Sequence, residues 1–287
     1  MLRSLVGSEM CIRDRLNTHP KISVIVLAYG DPKLTNAAVS SLKNQGDIYP
    51  NMEIIIVDNG SSAENINVMR DYADKFDGIK IIENGENLGF AAGNNVGLEA
   101  ATGEYVLLLN NDTFVSPGSL QAMMLHLKNN PAIGAIGPLT NNIGNEAKLP
   151  INYASMEEMI LTTRALKTGY RGKNFETPVV AYFAVMFRQR DLDDFGHLSI
   201  DYGRGMFEDD DHCKVIRTRG FICAVAEDAF VHHHLSATFS KIDDEERKKL
   251  FDDNKATFES KWGTWKPHKY RDGRLKSDLQ FPNEELL

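Results

Sequence analysis

EYVLLLNND, residues 104–112, is the stretch on which the fold turns: an unbroken apolar run that ends in Asn110, Asn111 and Asp112. Continuous apolar runs of this length, bounded by turn residues, suit a strand buried on both faces of an α/β sheet. In open α/β sheets ligands bind beyond the carboxyl ends of such strands, where these three polar residues stand. A carboxylate there suits a hard cation such as Mg²⁺, which takes one or two carboxylates plus substrate phosphates. The same residue types are common in turns that merely end a strand. The flanking chain decides between the two.

Upstream, KISVIVLA (residues 21–28) reads as a β-branched strand that breaks at Tyr29-Gly30. Asp31-Pro32 then offers an N-cap followed by proline at the first helical position, and Leu34, Ala37, Ala38 and Leu42 recur at helical spacing. Residues 53–57 form a second strand, ended by the turn Asp58-Asn59-Gly60-Ser61, and the next helix carries Ile66, Met69, Ala73 and Phe76 on one side. Residues 79–82 are a third strand leading into ENGENLGFAAGNN, after which a helix through Val96 and Ala100 stops at Gly103. This βαβαβαβ order predicts an α/β fold with a mostly parallel central sheet flanked by helices. Right-handed crossovers bring the loops after the strands to one rim. All four of those loops are polar, as expected of a binding site.

Downstream, Ser116-Pro117 is expected to open a helix with Leu120, Met123 and Leu127 inward, followed by a strand at 133–136. Residues 138–177 are rich in Asn, Gly and Lys, with a helical middle at 156–166, and read as a variable excursion across the site. PVVAYFAVMF (178–187) is the next expected strand, with a short helix at 190–195, a helix from FEDDD to Thr218 capped by Gly220, and a late strand at 221–226. FVHHHLSATF follows, then from about Lys241 a charged helix and a polar tail with Trp262 and Trp265. Residues 1–19 show no periodicity and no signal-peptide core, and GSEMCIR within them resembles translated read-through. The expected division is a non-native or disordered extension at 1–19, one domain at 20–240 and a C-terminal extension at 241–287.

The 287-residue chain, 42% hydrophobic and 25% charged, has the composition of a globular protein with a sizeable core. Its formal net charge of −8 leaves no general footprint for nucleic acid. The cysteines Cys11, Cys213 and Cys223 have no metal or redox spacing, which points to a reducing compartment. No apolar run approaches the length of a membrane span.

Four constellations carry candidate chemistry. Asp58, directly after a strand, suits hydrogen bonds from a nucleobase or ribose, or a helix cap. In NLGFAAGNN, Gly89 and Gly93 permit close backbone approach and Asn94 and Asn95 offer donors. That loop lacks both GxGxxG and the P-loop pattern, so a nucleotide there needs a metal or side chains for its phosphates. Glu208-Asp209-Asp210-Asp211 exceeds what one negative helix start requires and offers a general base. In His232-His233-His234, alternation along extended chain puts His233 opposite the other two; one imidazole is a candidate ligand to a metal beside Asp112, and an exposed turn is the plain alternative.

Together these motifs resemble the family 2 glycosyltransferases of the GT-A fold, particularly the rhamnosyl- and galactofuranosyltransferase-like branch. The pieces are VIVLAYG, IIIVDNGSS, ENLGFAAGNNVGL, YVLLLNNDT, GMFEDDDHCKVIRTRGF and FVHHHLSATF, over roughly residues 21–238. By that resemblance Ala28, Tyr29, Asp58 and Asn59 meet the nucleoside. Asn87, Gly89, Phe90, Gly93, Asn94, Asn110 and Asn111 line the path of the sugar diphosphate. Asn110-Asn111-Asp112 takes the place of the D-x-D metal motif, with Asp112 and His233 on a divalent ion, Mg²⁺ or Mn²⁺. Glu208-Asp209 matches the family's E-D pair, with Asp209 as the base. Asn110 for the first Asp removes one anionic ligand, and Lys214 stands where an Arg is usual, without its bidentate fork.

The resemblance implies inverting transfer from a nucleoside-diphosphate sugar to a glycan or lipid-linked acceptor. It also implies a role in building cell-envelope polysaccharide, at a cytoplasmic location with peripheral contact at the inner membrane face. A catalytically silent sugar-nucleotide or glycan-binding module of the same fold is the alternative, and a nucleotidyltransferase a weaker one.

Overall fold

A computed structural model describes residues 19–234 and 243–270. Strand β1 (Ile22–Ala28) leads to helix α1 (Pro32–Ser40), where Asp31 accepts from the backbone N–H of Lys33 and Pro32 opens the first turn. Strand β2 (Met52–Asp58), helix α2 (Ala63–Ala73), strand β3 (Ile79–Glu83), helix α3 (Gly89–Ala100) and strand β4 (Tyr105–Asn110) follow. β3, β2, β1 and β4 lie side by side and all parallel. The register pairs Ala28 with Asp58, and Leu27 with Asn110, so the strand ends reach one rim together.

Alternate side chains of one strand feed two cores, as the pleat requires. Leu107 and Leu109 of β4 join Val24 and Val26 against α1 and α2. Val106 and Leu108 join Ile25 against Ala91 and Leu98 of α3. The run is thus apolar throughout because both faces are covered, and each such side chain contributes about 1.5–3 kcal/mol on burial.

The second half departs from the parallel pattern. After a short strand β5 (Thr113–Val115) come α4 (Ser119–Asn129), β6 (Ile133–Leu139), α5 (Met156–Gly169), β7 (Asn174–Glu176), β8 (Ala184–Arg188) and the one-turn α6 (Leu192–Phe195). Then follow α7 (Glu208–Thr218), β9 (Ile222–His233) and α8 (Asp244–Trp262). β8 runs antiparallel between β4 and β6, β9 is parallel to β6, and β5 and β7 pair antiparallel with β9. The sheet is therefore mixed.

Three sequence expectations need correction. The apolar run at 178–187 is a strand only from Ala184; Val180, Tyr182 and Phe183 are buried without belonging to a strand, and apolarity reports burial rather than pairing. The late strand runs twelve residues to His233, through the polar Glu227-Asp228, because Asp228 is buried against His126 Nε2 at 2.8 Å and the Gly172 N–H at 2.7 Å. The helix expected at Ser116 begins at Ser119, after Gly118 in a left-handed conformation. His19 packs its ring on Tyr49, and residues 1–18, including Cys11, lie outside the described residues.

Candidate active site

The rim is built from strand ends. Asp58, fully buried, closes β2 and accepts from the N–H groups of Gly60 at 3.3 Å and Ser61 at 3.1 Å. Ala28 accepts the Asn59 N–H at 2.8 Å, while Tyr29 stands 43% exposed beside them. The Asn59 side chain is committed inward. Its Nδ2 donates to Asn87 Oδ1 and the Gly89 carbonyl, and its Oδ1 accepts from Asn84 Nδ2 and the Leu88 N–H. It thus staples the loop that enters α3. Asn94 Nδ2 donates to the Phe90 carbonyl at 2.9 Å. At Gly93 the close approach is to the sheet: a Cβ would lie 2.6 Å from Leu27 Cδ1 and 3.2 Å from Asn59 Oδ1.

At the end of β4, Asn110 donates its N–H to the Phe183 carbonyl at 2.8 Å, and Asn111 Nδ2 donates to Thr35 Oγ1 at 3.1 Å. Asp112 comes next, buried, with Oδ1 at 3.4 Å from His233 Nε2. His233 reaches it from the end of β9, which pairs with Thr113 of β5. Its Nδ1 lies 3.2 Å from the Asn142 carbonyl, which can only accept, so Nδ1 is the donor in that contact. Nε2 then faces the Asp112 carboxylate oxygen at 3.4 Å, a placement that serves a direct Nε2–H contact or a cation shared by the two side chains. A backbone carbonyl fixing the far nitrogen is the usual support of a metal-ligating histidine. The pair fits a divalent ion as an O,N clip that leaves its other positions to a substrate and water. No group of three or more His, Cys, Asp or Glu forms a complete metal cage among the described residues.

His232 and His234 contact each other, and the His234 N–H donates to the Asp112 carbonyl at 2.9 Å. His232 Nδ1 meets the Tyr153 hydroxyl and its Nε2 lies 3.2 Å from His234 Nδ1, with burial pushing His232 down to about 4.

The four acids at the start of α7 divide into two pairs. Asp211 Oδ1 accepts from Tyr202 Oη and Trp262 Nε1, both at 2.8 Å, and Asp210 Oδ1 accepts from Trp265 Nε1 and His268 Nε2, both at 2.9 Å. These two hold the segment around the end of α8. Among the described residues Glu208 and Asp209 have no such side-chain anchors: Asp209 Oδ1 accepts only the Asp210 N–H at 2.9 Å, and Glu208 Oε2 is buried without a partner. Burial, with the Asp209 charge second, pushes Glu208 up to about 8. Burial and then the Asp210 charge push Asp209 up to about 7, against the pull of His268. An acid so placed takes up a proton near neutral pH. The residues before it, Met206 and Phe207, both adopt φ of 77°, a left-handed conformation that costs side-chain-bearing residues on the order of 1–3 kcal/mol each. Asn254 of α8 holds them, its Nδ2 donating to the carbonyls of Tyr202, Gly205 and Met206.

The two clusters flank one dipeptide. Tyr182 bonds through its hydroxyl to His212 Nδ1 at 2.8 Å, one turn beyond Asp209, while Phe183 stacks on His233. The C-terminal anchors Asn254, Trp262, Trp265 and His268 are absent from the sequence-based site. The only signal for them was the pair of tryptophans in a charged tail.

Similar chain traces occur in glycosyltransferases. A mannosyltransferase from Pyrobaculum calidifontis in complex with GDP-Man and Mn²⁺ superposes with a TM-score of 0.56 at 19% identity, over 76% of this chain and 58% of that one. S. aureus TarS 1–349 in complex with UDP-GlcNAc gives 0.57 at 16%, over 78% and 61%. These neighbours share the GT-A fold seen here. The chain belongs to glycosyl transferase family 2, whose sequence profile matches residues 23–196. That match includes Asp58 and Asp112 and stops before Asp209 and His233. An uncharacterized glycosyltransferase of Haemophilus influenzae is 33% identical over 118 residues, 41% of this chain and 36% of its own length. The poly-beta-1,6-N-acetyl-D-glucosamine synthase of Staphylococcus epidermidis is 27% identical over 187 residues, 63% of this chain and 42% of its own length. The matches to these curated relatives thus span well under two thirds of the relatives' lengths. No helix among the described residues is long and apolar enough to cross a membrane.

Proposed function

We propose that the chain transfers a hexosyl or deoxyhexosyl group, with inversion, from a nucleoside-diphosphate sugar to a hydroxyl of a glycan or glycolipid acceptor in polysaccharide assembly. The observation that carries this reading is the Glu208-Asp209 pair at the start of α7, with a carboxylate pushed up to about 7 in a strained, braced turn. Asp209 is the base: it removes the acceptor proton as the oxygen attacks the anomeric carbon opposite the leaving diphosphate. Burial raises both carboxyls, so the pair retains a proton near neutral pH while offering one carboxylate to act as the base. Asp58 and Tyr29 face the nucleoside at the rim.

The donor complexes of the structural neighbours, one with Mn²⁺, support a divalent cation here, held by Asp112 and His233. Such an ion, when bound, offsets charge on the departing nucleoside diphosphate. Positioning of the two reactants supplies much of the remaining acceleration. The test is a screen of nucleoside-diphosphate sugars with Mn²⁺ by thermal shift, followed by transfer from those that bind. Stabilisation by a sugar nucleotide together with sugar release or transfer supports the proposal. Binding with neither turnover nor transfer would instead identify a silent module.

A further inference from the structure

Beside the base helix lies a cavity of about 480 Å³, walled by α7, by residues 145–146 and 176–179, and by the segment that follows α8. Four cations line it: Lys214 and Arg217 from α7, and Lys266 and Lys269 from the C-terminal segment. Spacing of three residues puts the first two on the same side of the helix. None of the four makes an ion pair or side-chain hydrogen bond among the described residues. The acids on the wall are Glu146, Glu176 and Asp210, and Asp210 already accepts from Trp265 and His268. Trp262 and Trp265 supply aromatic surface with their indole N–H groups fixed on Asp211 and Asp210. In a chain of net charge −8, four unpaired cations around an aromatic-walled cavity are a local reversal of sign.

We infer that this cavity is an acceptor subsite for an anionic glycan, with a sugar ring against the tryptophans and a phosphate or carboxylate on Lys214 and Arg217. Rings stack on aromatic faces, and cations confer selectivity for charged over neutral sugars. The subsite lies one helical step from Asp209, which also feels the charge of His268 on the same wall. The inference rests on the transferase reading for the word acceptor, and Lys214 is the position where the family resemblance anticipates arginine.

The chain contains only two tryptophans, both in this cavity, so intrinsic fluorescence reads its occupancy directly. The full chain is titrated at low ionic strength with glucose 6-phosphate, glucuronic acid and glucose. Expected is a saturable change in tryptophan emission with one or both anionic sugars, at least tenfold weaker with glucose and weakened by salt. Preference for the phosphate or for the carboxylate names the source of the anion. The double variant Lys214→Glu/Arg217→Glu should lose at least tenfold in anionic-sugar affinity, and Lys266→Glu, outside any helix, should act in the same direction. Both should keep the melting-temperature rise given by nucleoside-diphosphate sugar and Mn²⁺. Equal response to all three sugars, no response, or unchanged affinity in the variants overturns the subsite. Failure of the transferase reading appears separately, as a lack of sugar-nucleotide binding or turnover while the fluorescence response persists.

Discussion

Phe183 stacks on His233 with ring centroids 4.8 Å apart and planes 19° from parallel. The stack and the Asn142 carbonyl together fix the imidazole so that Nε2 faces Asp112. One residue earlier, Tyr182 braces His212 of the base helix. A single buried dipeptide thus sets the orientation of the candidate metal clip and supports the helix that carries the candidate base.

Asp112 and His233 should matter for metal before they matter for stability. Mn²⁺ with a nucleoside diphosphate should raise the melting temperature of the chain in proportion to ligand excess. Asp112→Asn and His233→Ala should each weaken the metal dependence at least tenfold. A full Mn²⁺-dependent shift in both variants would remove the clip from the account.

Glu208 should make stability fall with rising pH. In the folded chain burial holds its carboxyl up to about 8, whereas in the unfolded chain it ionises in the ordinary range near 4–5. Between those values the folded state keeps a proton that the unfolded state has released, so stability decreases across that window. Glu208→Gln keeps the shape without the ionisation. Relative to the parent chain it should gain about 4 kcal/mol between pH 5 and pH 9, since the window from pH 5 to about 8 spans roughly three tenfold steps of about 1.4 kcal/mol each. Urea unfolding at the two pH values measures this, and parallel pH dependences in both proteins would contradict it.

Asn254 should act on turnover from a distance. Its two amide hydrogens are shared among the carbonyls of Tyr202, Gly205 and Met206 ahead of Glu208, and Asn254→Ala removes that donor at a cost of about 2 kcal/mol. With the proposed base Asp209 less well held, kcat should fall about tenfold while the KM for the donor stays within twofold. Equal loss in both parameters would point to general destabilisation instead.

Much of the parallel half of the fold was legible in the sequence because its signals are local. The apolar run ending in Asn110-Asn111-Asp112, the Asp31-Pro32 start of α1 and the βαβ rhythm each reflect short-range physics, and the register of Ala28, Asp58 and Asn110 follows from them. Alternation along extended chain set His233 apart from His232 and His234, and the family resemblance, not the alternation, named it as the candidate ligand. The glycine-rich loop was legible in part: Gly93 does allow close approach, but toward Leu27 and Asn59 rather than open space. Its neighbour in space, Asn59, looks like a ligand donor in sequence and is spent on holding the loop. The division of labour among the four acids was out of reach, because it depends on Trp262, Trp265 and His268, more than fifty residues away. The antiparallel placement of β8 was hidden for the same kind of reason, since burial makes a strand and a packed loop equally apolar.

Asp209 is the proposed base, and the most direct measurement compares sugar transfer by the parent chain and by Asp209→Asn under saturating donor and Mn²⁺. Loss of a general base removes about 10²–10⁴-fold in rate, so the variant should lose at least a hundredfold in kcat while its donor-induced thermal shift is retained. Transfer by Asp209→Asn within a few fold of the parent rate would contradict the account.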